Sequence, residues 1–139
     1  MFKHIVVAND GSEGGRKALA LAFGLAKHHR SALHMVSVEE LPDFPASIDE
    51  VVETKESENH KFHDVVKEAR KLAKAAGVEL KAEVIAGHPV AAIVNHLKAT
   101  EADLLVVGFM GHSALYERII GGTTDRLVRL APCPVLVVK

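Results

Sequence analysis

Five apolar runs separated by helical segments predict an α/β fold. The expected architecture is a doubly wound, five-stranded parallel sheet of order 3-2-1-4-5, with helices on both faces. Three observations carry this expectation. First, His4-Ile5-Val6-Val7-Ala8, Leu104–Val107 and Val135–Lys139 are nearly continuous apolar runs rich in β-branched residues, as strands buried on both faces must be. Second, apolar residues between the runs recur at helical spacing. Third, the stretch from Val78 to Ala86 sets Val78, Leu80, Ala82 and Val84 against Glu79, Lys81 and Glu83, so one face is wet. Such a strand belongs at a sheet edge. Right-handed crossovers then leave 3-2-1-4-5 as the order.

The first strand, His4–Ala8, ends at Asn9-Asp10-Gly11-Ser12, a turn cluster that also supplies a helix N-cap. The helix that follows runs to about Arg30. Leu19, Ala22, Phe23 and Ala26 share its buried face, and Gly14, Gly15 and Gly24 lower its helicity while permitting close packing on the sheet. The second strand is Ala32–Val38. Glu39-Glu40-Leu41-Pro42-Asp43-Phe44-Pro45 breaks the pattern, so residues 40–53 read as a surface loop with a fraying helix start, either a lid over a site or an irregular connection.

A long helix is expected from about Lys55 to Ala76, with Phe62, Val65, Val66, Ala69, Leu72, Ala73 and Ala76 on one face and Gly77 as its stop. His60 and His63 invite a metal reading, but Lys61 and Lys67 around them favour a solvated polar face. Gly87-His88-Pro89 opens the next helix with proline at its first position, and Val90, Ile93, Val94 and Leu97 form its apolar face. After the fourth strand, a last helix spans about Thr124–Leu130, and Pro132-Cys133-Pro134 leads into the fifth strand.

The 139 residues fit one domain, 1–139, with no internal repeat or linker. A composition 48% hydrophobic and 25% charged is ordinary for a globular protein. A net charge of −1 argues against nucleic acid or an anionic membrane as partner. The single cysteine, Cys133, has no partner for an internal disulfide and reads as an inert, buried thiol. No signal peptide precedes the first strand, and no apolar run approaches the roughly 18 residues of a membrane span. A cytoplasmic location is the expectation.

One stretch carries the candidate chemistry. Asp103-Leu-Leu-Val-Val-Gly108-Phe-Met-Gly111-His112 is a strand that runs into two glycines, and Gly121-Gly122-Thr123-Thr124 then opens a helix. Glycine lets backbone approach a ligand, and a helix start presents unpaired N–H groups to an anion. The bland alternative makes the glycines turns and Thr123 or Thr124 an N-cap. In a 3-2-1-4-5 sheet, however, the switch point lies between strands 1 and 4, where ligands bind outside the carboxyl ends. Asn9-Asp10 and Gly108 end those two strands. Two distant segments thus converge on a split phosphate cradle.

In that cradle, Gly108 and Gly111 would admit a triphosphate, and Thr123, Thr124 and the N–H groups of residues 121–125 would take its terminal oxygens. Asp10 would accept from an adenine amino group or a ribose hydroxyl, or help hold a divalent ion; as a bland alternative it is a turn-forming residue. Val38 would pack on a base, or simply on the core. His112 is either a phosphate contact or an exposed loop residue. No P-loop, Gly-x-Gly-x-x-Gly fingerprint, clamp lysine or nucleophile elbow is present. With no general base over a terminal phosphate, binding is favoured over fast hydrolysis, and no catalytic residue is assigned.

These residues resemble the universal stress protein family over the full chain. The stretches that carry the likeness are Ile5–Ser12, Val36-Ser37-Val38, Gly87-His88-Pro89, Ala102–Gly108 and Ala131–Val138. The ATP-binding branch of that family carries Gly-x-x-Gly, nine residues, then Gly-Ser/Thr. Gly108, Gly111 and Gly121 match that spacing, and Gly122 stands where Ser or Thr is usual. The resemblance implies that Asp10 and Val38 contact adenine and ribose, with help from the backbone around Asn9. It also implies that Thr124 supplies a later hydroxyl, that Thr123 partly substitutes for the missing one, and that His112 stands at a commonly basic position. Ala8 replaces a common proline.

The candidate nucleotide-binding set is Ala8, Asn9, Asp10, Val38, Val107, Gly108, Gly111, His112, Gly121, Gly122, Thr123 and Thr124. The implied ligand is ATP, with Mg²⁺ or Mn²⁺ at the phosphates. The implied assembly is a homodimer through residues 134–139, an apolar sheet edge that needs cover. The leading expectation is therefore a regulatory, ATP-binding stress-response protein. The alternatives are an ATPase or phosphoryl-transfer enzyme, and a protein-interaction module with a vestigial pocket.

Overall fold

The computed structural model describes residues 1–40, 48–109 and 122–139, with backbone alone for 48–60. The element order is β1 His4–Ala8, α1 Glu13–His29, β2 Ala32–Glu39, α2 Ile48–Ala76, β3 Leu80–Ala86, α3 Pro89–Thr100, β4 Leu104–Gly108, α4 Thr123–Leu130 and β5 Val135–Val138. The strands form one sheet of order β3-β2-β1-β4-β5. Every pairing is parallel, with Val7 opposite both Met35 and Val106. This is the expected topology.

The middle strands read as buried runs because helices cover both of their faces. Ile5, Val7, Leu33, Met35, Leu104 and Val106 pack with Leu19, Ala22 and Phe23 of α1 and with Ala69 and Ala73 of α2. Val6, Val36, Leu105 and Val107 point the other way, onto Val90, Ile93, Val94 and Leu97 of α3 and Leu127 of α4. Alternate residues of one strand thus feed two separate cores. The outer strands are wetter, as edges should be, with Leu136 of β5 36% exposed; but Val84 of β3, expected on the covered face, is 41% exposed, and Ile85 packs on the α3–α4 core instead. Among the described residues, no helix is long and apolar enough to cross a membrane.

Two boundaries differ from expectation. Residues 48–53, expected in a loop, are already helical, because α2 starts at Ile48. Pro45 is the last helix breaker before Gly77, so nothing in the intervening sequence opposes helix. The rest of the expected loop up to residue 47, beyond Glu40, lies outside the described residues. Val78 and Glu79 do not join the edge strand. Gly77 turns left-handed at φ +72°, and the Val78 N–H bonds the Ala73 carbonyl at 2.9 Å, which caps α2 instead.

Cys133 is half-buried rather than buried. Burial first, then the Asp103 carboxylate, pushes its thiol pKa up, against a hydrogen bond from the Leu105 main chain. A raised pKa disfavours the thiolate, which is the reactive form. His63 is exposed, and no cluster of three or more metal-ligating side chains occurs among the described residues.

Candidate functional site

The carboxyl edge of β1 and β4 is built by three segments that lock one another. The first is the β1–α1 turn. The Asn9 side chain turns back on its own loop, its Oδ1 accepting from the Gly11 N–H at 3.0 Å. The Asp10 Oδ1 does the same for the Ser12 N–H at 2.9 Å. These are successive Asx turns. Gly11 adopts φ +85°, which suits glycine. Ser12 then caps α1, its Oγ accepting from the Gly15 N–H at 3.1 Å.

The second segment is the end of β2. Ser37, 1% exposed, donates its hydroxyl to the Asn9 carbonyl at 2.6 Å. The Asn9 N–H in turn donates to the Val36 carbonyl at 3.0 Å. Asn9 is therefore buried, with its side chain and main chain both hydrogen-bonded within the fold. Val38 is half-buried and packs with Ala8 on the α3–α4 core. Sequence reasoning missed Ser37 and Glu39. Glu39 is only 8% exposed, a carboxylate held at the carboxyl edge of the sheet. Glu39 was expected to break the pattern after Val38, but it pairs with Ala86 as the last residue of β2.

The third segment joins the end of β4 to the start of α4. An added Cβ on Gly108 would lie 2.5 Å from the carbonyl carbon of Gly14 and 2.6 Å from its oxygen. Gly108 thus has to be bare because the first turn of α1 presses on it. Gly15 is bare for a related reason, since a Cβ there would lie 2.5 Å from Asn9 Oδ1. Of the three α1 glycines expected to aid packing, Gly24 does not, with nothing within 4 Å of its missing Cβ. Val107 is 3% exposed with its side chain in the core, so only its main chain is left for a ligand.

Gly122 is the N-cap of α4 and, having no side chain, makes no side-chain cap bond. The N–H groups of Thr123, Thr124 and Asp125 lie in the first turn, where an α-helix supplies no partner of its own. Thr123 is exposed. The Thr124 hydroxyl donates to the Gly108 carbonyl at 2.9 Å, tying α4 to β4. Asp125 puts a negative charge on the same turn, its Oδ2 3.4 Å from Nε of Arg129. The two described halves of the expected cradle therefore meet at Gly108 and Thr124. Gly111, His112 and Gly121 lie outside the described residues.

Thr124→Val tests that tie. The isosteric change removes one hydrogen bond and leaves the Gly108 carbonyl without its donor. A loss of about 1 kcal/mol is expected in urea unfolding. No loss would mean that Thr124 holds nothing in place.

The arrangement suits an anion better than a protein-held cation. Main-chain donors lie at the start of α4, beside the Asp125 carboxylate, while Asp10 follows β1 and Glu39 ends β2. Mg²⁺ commonly binds through one or two carboxylates and substrate phosphates, keeping several waters.

The model of the universal stress protein family matches residues 1–139. The chain is 32% identical over 148 residues to universal stress protein YxiE of Bacillus subtilis, covering 100% of both chains. Its backbone superposes on universal stress protein UspA from Lactobacillus plantarum with a TM-score of 0.86 at 24% identity, covering 99% of this chain and 98% of that one. A universal stress protein solved in complex with cAMP is similar at a TM-score of 0.75 and 28% identity, covering 99% and 97% of the two chains.

Proposed function

This chain belongs to the universal stress protein family, and from that premise we propose that it binds ATP at the β1–β4 switch point and acts as a regulatory stress-response protein with slow or no hydrolysis. The observation that carries the reading is the meeting of the β1–α1 turn, the end of β4 and the side-chain-free N-cap of α4 at one edge of the sheet. The solved relative that holds cAMP supports an adenine nucleotide as the ligand class.

In this reading Asp10 accepts from the adenine amino group or a ribose hydroxyl, and Ala8 and Val38 line the base. The main chain at Asn9, Val107 and Gly108 borders the nucleotide. Gly111, His112 and Gly121 supply the rest of the phosphate loop. Gly122 and Thr123 present N–H groups to terminal phosphate oxygens, and the α4 dipole adds modest attraction. The Thr124 hydroxyl already donates to Gly108, so Thr124 acts as the hinge pin of the cradle rather than as a free phosphate donor. Mg²⁺ or Mn²⁺ accompanies the phosphates. The protein is cytoplasmic and pairs as a homodimer through residues 134–139, which covers the half-wet β5 edge.

The test is to purify the protein without added nucleotide, denature it and separate the supernatant by ion exchange, then repeat after adding ATP and Mg²⁺. Nucleotide near one per chain is expected, with little conversion of ATP to ADP over hours. Rapid conversion would assign an enzyme instead. No nucleotide in either sample would assign an interaction module whose pocket has lost its ligand.

A further inference from the structure

Far from the switch point, three histidines gather under the C-terminal half of α3. The Nε2 of His4 on β1 meets the Nδ1 of His34 on β2 in a short hydrogen bond. The His34 and His96 rings stand edge to face at 5.7 Å, which brings in α3. Nδ1 of His4 lies 3.0 Å from the Thr100 carbonyl, at the end of α3. Nε2 of His96 lies 3.1 Å from a Glu83 carboxylate oxygen on β3. Four elements are thus joined through three imidazoles.

The partners dictate where the protons sit. A carbonyl can only accept, so His4 carries its proton on Nδ1 toward Thr100. When the ring is neutral, its Nε2 is then an acceptor, and His34 must donate from Nδ1. A carboxylate can only accept, so His96 donates from Nε2, which leaves its buried Nδ1 unpartnered. One added proton can be held within the His4–His34 pair, because one ring can still donate to the other. A second cannot, since both facing nitrogens would then carry hydrogen.

We propose that His4, His34 and His96 form an acid-sensitive clamp, which holds the C-terminal half of α3 on the sheet and releases it when both members of the His4–His34 pair are protonated. The surroundings oppose charging. Burial lowers the pKa of His34, and the His4, His96 and Lys81 charges lower it further; Glu83 alone opposes them. Asp103 faces the cluster from below β4, its carboxylate accepting from the main-chain N–H groups of Lys3 and His4. Burial raises its pKa, but those hydrogen bonds and His4 hold it lower overall, so it stays charged throughout the range in question.

The sign follows from linkage. In the unfolded chain His34 regains its ordinary value of 6.5 and takes up a proton before the folded chain does. The contribution of neutral His34 is therefore complete above about pH 6.5 and is lost as the pH falls toward the lowered folded value. Each proton contributes up to about tenfold per pH unit in the opening equilibrium.

The test needs the intact chain. Nitrogen-15 shifts of the imidazoles, followed from pH 8 to pH 4.5, should show His4 and His34 both in the Nδ1–H form when neutral, with the His34 midpoint below 6.5. Amide protection at residues 96–100 should fall by about tenfold more than protection in β1 between pH 7 and pH 5. His34→Gln should abolish that difference. Neutral Nε2–H rings, a His34 midpoint at or above 6.5, or equal loss of protection in α3 and β1 would each overturn the clamp. The tautomer measurement decides the matter even if the variant does not fold.

Discussion

Gly108→Ala is expected to lower the stability of the folded chain by roughly 2 kcal/mol, the effect of forcing a methyl into packed structure. The new Cβ would lie 2.5 Å from a main-chain carbon of Gly14. A flexible side chain could swing away, but the first turn of α1 cannot retreat without disturbing the Ser12 cap and the Asn9 and Asp10 turns that hold it. A fall in Tm of roughly 6–10 °C follows for a chain of this size. Gly24→Ala is the internal control. It is the same chemical change inside α1, with nothing within 4 Å, and should stabilise by about 0.5–1 kcal/mol. If both substitutions move Tm alike, the close approach of α1 to β4 is not real. If Gly108→Ala destabilises as expected, the first glycine of the family motif serves helix packing, whatever else it serves.

Asp10→Ala should weaken ATP binding by about 10–100-fold, the worth of a hydrogen bond to a charged acceptor. The change also removes the acceptor for the Ser12 N–H, so affinity alone would confuse a lost contact with a loosened turn. Asp10→Asn separates the two. Asn keeps an oxygen for Ser12 and loses only the charge, so its turn should survive with unchanged Tm. Titration calorimetry should then find a smaller loss, about tenfold or less. Comparing ATP with analogues that lack the amino group or the 2′-hydroxyl locates the donor, because the correct analogue should be insensitive to Asp10. Unchanged affinity in Asp10→Ala would remove Asp10 from the site.

Much of this molecule was legible in its sequence, and the reason is physical. Continuous runs such as Ile5-Val6-Val7 have no polar residue to turn toward water, so they demand cover on both faces. The mixed run at 80–86 leaves Lys81, Glu83 and Val84 exposed and goes to the edge. Gly77 and Pro89 mark ends because of what their backbones can and cannot do. The start of α2 was not legible in the same way. Acids and prolines up to Pro45 suggested a long loop, and only the absence of a breaker afterwards let helix begin at Ile48.

The site divides along the same line. The sequence by itself determined that Asp10 and Gly108 end neighbouring strands, since strand order follows from the burial pattern, and it determined the glycine spacing that resembles the family. Only the tertiary structure decided what those residues touch. It set the bare Cα of Gly108 against Gly14, turned Asn9 inward to Gly11 and Ser37, and spent the Thr124 hydroxyl on Gly108. It also gathered His4, His34 and His96 from three elements into one cluster. Periodicity reports which face of an element is apolar. It carries no information on which distant backbone comes to lie within 3 Å of a given residue, because that distance is fixed by how the elements dock.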